Sequence, residues 1–309
     1  MIDIWSSTGL HLPRQLDFTD DVAMPSEETH FLRLTYESQG SEPVVNGIWA
    51  FMARLARIWA EIQDVNKASV EGQLEPILLH ARVDSLLQKL DRWYAFLPHF
   101  IKETPANLDY YASIGFGASF AALHLGYHYY NEVLLYQFMA ENGHNASIPA
   151  KAYAERCLHH AMAFCDLLYL CETRACECLY VMVGHMLVVT STVYMHILLF
   201  STHEDQISIV RKRLAHNFEI LTKLQQYWPT LDTTLSRLKV FHNACQNSIE
   251  HSFRMDRWML KFILEHGTSM PEKFCVPIND TSTMTKTPSQ EGANGSFNSL
   301  QDWYSQTFS

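Results

Sequence analysis

Two histidines one helical turn apart, His124 and His128 in the run Leu123-His124-Leu125-Gly126-Tyr127-His128, present the most suggestive chemistry in the chain. Imidazoles at that spacing can converge on a metal ion, and Glu155 and His159 repeat the geometry. A zinc site needs three or four ligands, however, and spacing supplies no third partner for either pair. The cysteines nearest one another, Cys171, Cys176 and Cys178, lack the two-residue intervals of a zinc knuckle and have no second pair. Glu27 to His30 and Glu141 to His144 have the Glu-x-x-His spacing of a di-iron bundle, but each lies beside a helix breaker. Asp20-Asp21 could hold magnesium against a diphosphate, yet Pro25 follows closely and no spaced third carboxylate appears.

Two further runs have the look of chemistry without its context. Gly115-Phe116-Gly117-Ala118-Ser119 resembles a phosphate loop or a nucleophile elbow, and both of those need a strand feeding a helix. Here the flanks are helical, so small residues that permit close helix packing are the expected role. Arg211-Lys212-Arg213 is a tight basic run of three, which reads as a solvated helix face. The expectation is therefore a non-enzyme with no catalytic, cofactor-binding or metal site and no cofactor of its own.

The elements that would position these residues are helical. Hydrophobic residues make up 48% of the 309 and charged ones 18%, enough apolar surface for a full core. Gly 12 and Pro 11 are too few to punctuate an all-β chain. A net charge of -10 disfavours direct nucleic-acid binding. Seven cysteines and the absence of a signal-like start predict free thiols in an intracellular protein, so the three glycosylation sequons are discounted.

Residues 1–45 carry scattered acids and prolines without a period, and predict an extended acidic arm with at most one short turn. Asn46 is placed to cap a helix whose apolar stripe runs Ile48, Phe51, Met52, Leu55, Ile58, Trp59, Ile62, Val65. A second helix starts near Pro76, carries Ile77, Val83, Leu86, Leu87, Leu90 and Trp93, and stops before Pro98. A third, aromatic and apolar on most faces, spans about 107–140 and ends at Gly143. Ser147 is placed to cap the next, which carries Tyr153, Cys157, Leu158, Met162, Phe164, Cys165 and Leu168. Thr202 precedes another, with Ile207, Val210, Leu214, Phe218, Leu221 and Leu224, and a last helical stretch covers about 231–266.

Between Glu177 and Glu204 there is no charge, and Leu179 to Phe200 is long enough to cross a bilayer. Gly184, His185, Thr190, Ser191, Thr192, Tyr194 and His196 would then face hydrocarbon, and no basic cluster flanks the stretch. The reading is the central helix of a soluble bundle, with no membrane partner. From about 271 to 309 the composition turns to Ser, Thr, Asn and Gln, as in a disordered tail. Its aromatic end, Phe297 to Phe308 with Trp303 and Tyr304, could present one apolar face to a partner. The whole is read as all-α: an acidic arm over 1–45, a helical domain over 46–270 and a tail over 271–309.

Several segments in this order resemble the fungal-specific transcription factor domain, the middle homology region of zinc binuclear-cluster regulators. The acid arm Asp17 to Glu28, ending Pro25-Ser26-Glu27-Glu28, is similar to an acidic Pro-Ser-Glu-Glu stretch of that region. Leu123 to Leu135 resembles its Leu-His-Leu-x-Tyr-His helix, and Val183-Gly184-His185 through His196 its buried helix with a Gly and a later His. Gln226-Tyr227-Trp228-Pro229 before a long last helix also fits.

The resemblance implies a nuclear transcriptional regulator of a metabolic or biosynthetic gene set, with protein partners in the transcription machinery and a small-molecule effector between helices. The six-cysteine zinc cluster, basic linker and dimerising coiled coil of that family do not occur in these 309 residues, so zinc and DNA contact are expected only through a longer form or a cluster-bearing partner. The alternatives are an all-helical enzyme on an apolar or prenyl diphosphate substrate, and a regulator-like protein that sequesters a partner.

Overall fold

In the computed structural model the described residues are 2–10, 12–16, 23–33, 46–141, 148–174, 176–201, 203–246, 255–271, 273, 303 and 305. Among them the chain is all-α: α1 Ile2–Gly9, α2 Glu28–Arg33, α3 Ile48–Val70, α4 Pro76–Ala95, α5 Pro105–Ser113, α6 Gly117–Leu135 with a 3-10 turn Tyr136–Glu141, α7 Ile148–Thr173, α8 Val181–Phe200, α9 Glu204–Tyr227, α10 Leu231–Gln246 and α11 Arg257–Leu264.

The stripe on α3 buries as its spacing requires. Ile48, Phe51, Leu55, Ile58, Trp59, Ile62 and Val65 all face inward, and Met52 packs at the margin. The cap differs from expectation, because Gly47 and not Asn46 stands at the N-cap. A Cβ there would lie 2.3 Å from a Glu28 carboxylate oxygen, and Glu28 accepts the hydrogen bond of the Trp49 amide at 3.0 Å. The acid arm thus supplies the cap from a distance. Glu27 does the same for α2, accepting from the amides of Thr29 (3.0 Å) and His30 (2.7 Å).

The expected arm is corrected at its start as well. Ile2–Gly9 is helical, Ile4 is 2% exposed, and Thr8 bonds Gln63 of α3 at 2.7 Å. Thr8 and Ser7 both return hydrogen bonds to the Ile4 carbonyl, which hid an eight-residue helix among hydroxyl-rich residues usually found in turns. Asp17, Asp20 and Asp21 lie outside the described residues.

On α4 the inward face is Val83, Leu86, Leu87, Leu90 and Trp93, whereas Ile77 is 87% exposed and does not belong to the stripe. The 107–140 stretch is two helices. Gly115 takes a left-handed φ of 82°, which stops α5, and α6 begins at Gly117. The 231–266 stretch is likewise divided, since Asp256 caps α11 through the Met259 amide at 2.7 Å. Gly143, Ser147 and Thr202, expected at helix ends, lie outside the described residues; His203 occupies the N-cap of α9.

α6 packs on α3, α4, α5 and α7, and α8 on α6, α7, α9 and α10. All fifteen residues from Val183 to Ile197 of α8 are buried. Among the described residues this is the one helix long and apolar enough to cross a membrane, and 83% of its most apolar stretch is enclosed by protein. Its hydroxyls find partners inside that enclosure. Ser191 and Thr192 bond back to the Leu187 and Val189 carbonyls, Tyr136 meets Thr192 at 2.6 Å, and Thr190 donates to Glu132 at 2.8 Å. Gly184 permits the close approach of α10, for a Cβ would stand 2.6 Å from Leu231 Cδ2.

At its few described positions the 271–309 segment touches the bundle. Trp258 donates to the Pro271 carbonyl at 2.9 Å, Lys273 pairs with Asp256 at 2.7 Å, and Trp303 is 4% exposed. The rest of 271–309, where disorder was expected, lies outside the described residues.

Leu187, fully buried at the centre of α8, is the natural probe of this packing. Leu187→Ala is expected to lower unfolding free energy by about 2–5 kcal/mol, read from the urea midpoint at unchanged m-value. A loss under about 1 kcal/mol would mean that α8 is not packed as described.

Candidate functional site

α6 is buried on nearly every face, and its polar residues must therefore find partners inside the protein. His124 Nε2 donates to the Ile101 carbonyl at 2.9 Å. His128 Nε2 donates to Glu103 Oε2 at 2.9 Å, and its other nitrogen meets His160 Nδ1 of α7 at 2.9 Å. The result is a chain from Glu103, 24% exposed, through His128 to His160 inside the bundle. Lys102 Nζ adds a bond to the Tyr94 carbonyl at 2.7 Å, so residues 98–104 are pinned to the face of α6 and the end of α4.

The electrostatics follow from burial. Burial pushes the Glu103 carboxyl up, but the hydrogen bond from His128 and the nearby imidazoles outweigh it, and the net position is below the usual carboxylate range. Desolvation holds His124 down at about 4 and His160 at about 2, the latter helped by His128 and Arg156. Glu132, one turn past His128, is fully buried; desolvation raises it to about 8 against a weaker opposing bond from Thr190. At neutral pH it is the uncharged acid, and one of its oxygens has no partner among the described residues.

This arrangement conducts a hydrogen-bonded line from the surface inward, and every ring nitrogen of His128 on that line is occupied by protein. It organises a loop. The Leu-His-Leu-Gly-Tyr-His motif is thus a core motif whose two histidines hold residues 98–104 in place.

The other singled-out residues stay apart from it. Glu155 and His159 face outward on α7. Cys171, Cys176 and Cys178 are buried free thiols at the turn between α7 and α8. Gly117 packs against that turn, with a virtual Cβ 2.7 Å from Cys176 Cβ, in keeping with the close-packing role expected of Gly115 to Ser119. Arg213 pairs with Asp166 at 2.6 Å while Arg211 and Lys212 are exposed, so the three do not act as one patch. Glu27 is a helix cap, as described, and the side chains of Glu141 and His144 lie outside the described residues. Among the described residues no three His, Cys, Asp or Glu side chains are arranged to hold a metal ion.

A second feature lies between α9 and α10. The Trp303 ring stands 5.6 Å from Phe218, meets His242 edge-on at 5.5 Å and receives Lys239 Nζ at 5.9 Å. The aromatic spacing at the chain's end anticipates a docking residue, but the host is the chain's own bundle. Comparison with protein-family models, with curated proteins and with solved structures returns no match in any of the three.

The buried histidines and Glu132 pull stability in opposite directions. A neutral histidine whose folded pKa lies below the unfolded value of 6.5 contributes stability that is complete above 6.5 and is lost as pH falls toward 4. Glu132, raised from 4.5 to about 8, contributes stability that is complete below 4.5 and is lost as pH rises through 8. Glu132→Gln keeps the shape without the charge. At ~1.4 kcal/mol per pH unit, its gain over wild type should be about 1 kcal/mol or less at pH 5 and on the order of 4 kcal/mol at pH 8, by urea unfolding. The acid-side loss should persist in the variant. A gain that does not grow with pH would contradict the burial of an ionisable Glu132.

Proposed function

We propose that this chain is the regulatory domain of a transcriptional regulator of the kind it resembles, a nuclear helical module that works by contact with proteins and carries no catalytic centre. The observation that carries the reading is the insertion of Trp303 between α9 and α10. A terminal segment rich in aromatic, polar and acidic residues has the composition of a docking segment, and here its tryptophan is held on the bundle. A helical domain that grips such a segment can restrain it and release it, which is how a module without reactive groups alters transcription. The ordered motifs support the same reading. Glu27 and Glu28 cap α2 and α3, and His124 and His128 fix the loop against α6, so the residues that carry the resemblance are those that hold the domain together.

Contact with DNA belongs, on this reading, to a cluster-bearing partner or a longer form. Partners are proteins of the transcription machinery, reached by the released tail.

The test is a reporter assay in which the full chain is tethered to an unrelated DNA-binding module. Wild type is expected to change transcription, and Trp303→Ala, which frees the tail while leaving the bundle intact, is expected to shift output several-fold further. No change in either protein, with both present in the nucleus, would overturn the reading.

A further inference from the structure

Three cysteines meet where α7 gives way to α8. The last residue of α7 is Thr173, and the amide of Cys176 reaches back to the Cys171 carbonyl at 3.1 Å, with the Arg174 amide on the same oxygen at 3.2 Å. A bond from the second residue past the helix cap to the third-from-last helical residue closes a Schellman turn, and it brings the side chains of those two positions together. In most helices that contact is apolar; here both positions are cysteine. Standard backbone lengths then hold the two Cα atoms within about 7 Å of each other, inside the limit that a disulfide can bridge.

The sulfurs follow the backbone. Cys176 Sγ lies 3.6 Å from the Cys171 carbonyl oxygen, and the thiols of Cys171 and Cys176 are hydrogen-bonded to each other. Cys171 also bonds Cys178, whose own Sγ rests on the Ala118 carbonyl of α6 at 3.8 Å. Two other thiols of α7 are turned elsewhere: Cys157 to the Glu132 carbonyl at 3.5 Å and Cys165 to Asn217 at 3.3 Å. Cys171 is fully enclosed, whereas Cys176, 7% exposed, is the sulfur of the three that a small reagent from solvent meets first.

We propose that Cys171 and Cys176 are an oxidation site, forming a reversible disulfide with a hydroperoxide as oxidant and thereby locking the turn between α7 and α8. The Cys176 thiolate attacks a peroxide oxygen; an S–O bond forms, the O–O bond breaks, and an alcohol (water, for hydrogen peroxide) leaves. Cys171, having given up its proton, attacks the sulfenyl sulfur; the S–S bond forms, the S–O bond breaks, and the hydroxide departs as water with that proton. Two thiols lose two electrons and one peroxide gains them. A dithiol reverses the change by exchange. Burial pushes the Cys176 thiol up to about 12, with neighbouring Cys171 adding to the shift and Arg174 opposing it, so thiolate is scarce at neutral pH and the first step is slow. The pair answers sustained peroxide and ignores a brief pulse.

The turn is a junction, which gives the bond a consequence. Arg174 pairs with Asp109 of α5 at 2.6 Å, the Trp228 indole at the end of α9 donates to the Leu179 carbonyl at 2.6 Å, and Lys223 of α9 pairs with Glu177. Gly117 of α6 packs against the same turn. A covalent bond closed around the existing backbone bond restrains the point at which α5, α6 and α9 attach to the entry of α8. The site is a property of the folded chain and does not depend on a role in transcription.

The test treats the full-length chain with excess hydrogen peroxide, blocks the remaining thiols and reads an unreduced tryptic digest by mass spectrometry. Cleavage after Arg174 separates the two cysteines, so the bond appears as a cross-link between peptides 157–174 and 175–211. Fragmentation is expected to place it at Cys171 and Cys176, and dithiothreitol to remove it. Cys171→Ser and Cys176→Ser should each abolish the link and Cys178→Ser should keep it; should a serine variant fail to fold, fragmentation of the wild-type cross-link decides. In the oxidised protein the Cys176 amide is expected to exchange roughly ten-fold more slowly than in the reduced one, and to recover on reduction. A link that maps to Cys178, Cys157 or Cys165, sulfinic acid at Cys176 with no link, thiols that stay reduced, or unchanged exchange of that amide would each overturn the proposal.

Discussion

The enclosure of α8 is the constraint on which the rest of the molecule depends. A helix with fifteen consecutive buried residues has no face left for water, so each polar group it carries must be matched by a neighbour. That requirement places Glu132 of α6 opposite Thr190, Asn217 of α9 beside Ser191 at 3.1 Å, and Tyr136 against Thr192. It also demands small residues where helices cross, as at Gly184 beneath Leu231. Had the same apolar helix lacked these partners, its threonines and serine would have opposed burial in protein as they oppose it in lipid.

Acids and imidazoles in the interior are kept uncharged by the same logic, and the buried Arg237 cation is held on backbone carbonyls. The buried acid on α6 is neutral at physiological pH, and desolvation keeps His124, His160 and His185 uncharged. Arg237, buried at 2% exposure, places its guanidinium on the Lys261 and Phe262 carbonyls, each at 2.8 Å, and so ties α10 to α11. The ionised groups that remain work at edges: Glu27 and Glu28 as helix caps, and Glu103 as the outer end of the imidazole line. The interior is thus rich in hydrogen bonds, and tryptophans from the two ends of the described chain pack on the bundle, Trp5 against Trp59 and Trp303 against Phe218.

Much of this was legible in the sequence where a single physical rule decides the outcome. The α3 stripe, the Pro76 start of α4 and the buried, uncharged α8 follow from helical spacing and from the cost of exposing apolar surface. The breaks were not legible. Gly115 ends α5 because the backbone turns left-handed there, and nothing in the flanking pattern marks that glycine as different from Gly126, which sits inside α6. The cap of α3 comes from Glu28, twenty-one residues away, a tertiary partnership that no local rule anticipates. The histidine pair was read correctly as lying on one helix, but its partners, Ile101, Glu103 and His160, come from a loop and from α7, and only the fold brings them within 3 Å.

Native-state hydrogen exchange across the intact protein tests the central claim most directly. If α8 is enclosed by α6, α7, α9 and α10, the amides of Val183 to Ile197 exchange only through global unfolding, as the slowest set, with the full denaturant dependence of the whole domain. Rapid exchange of those amides through local opening, or protection that arises only when detergent or lipid is added, would contradict the account.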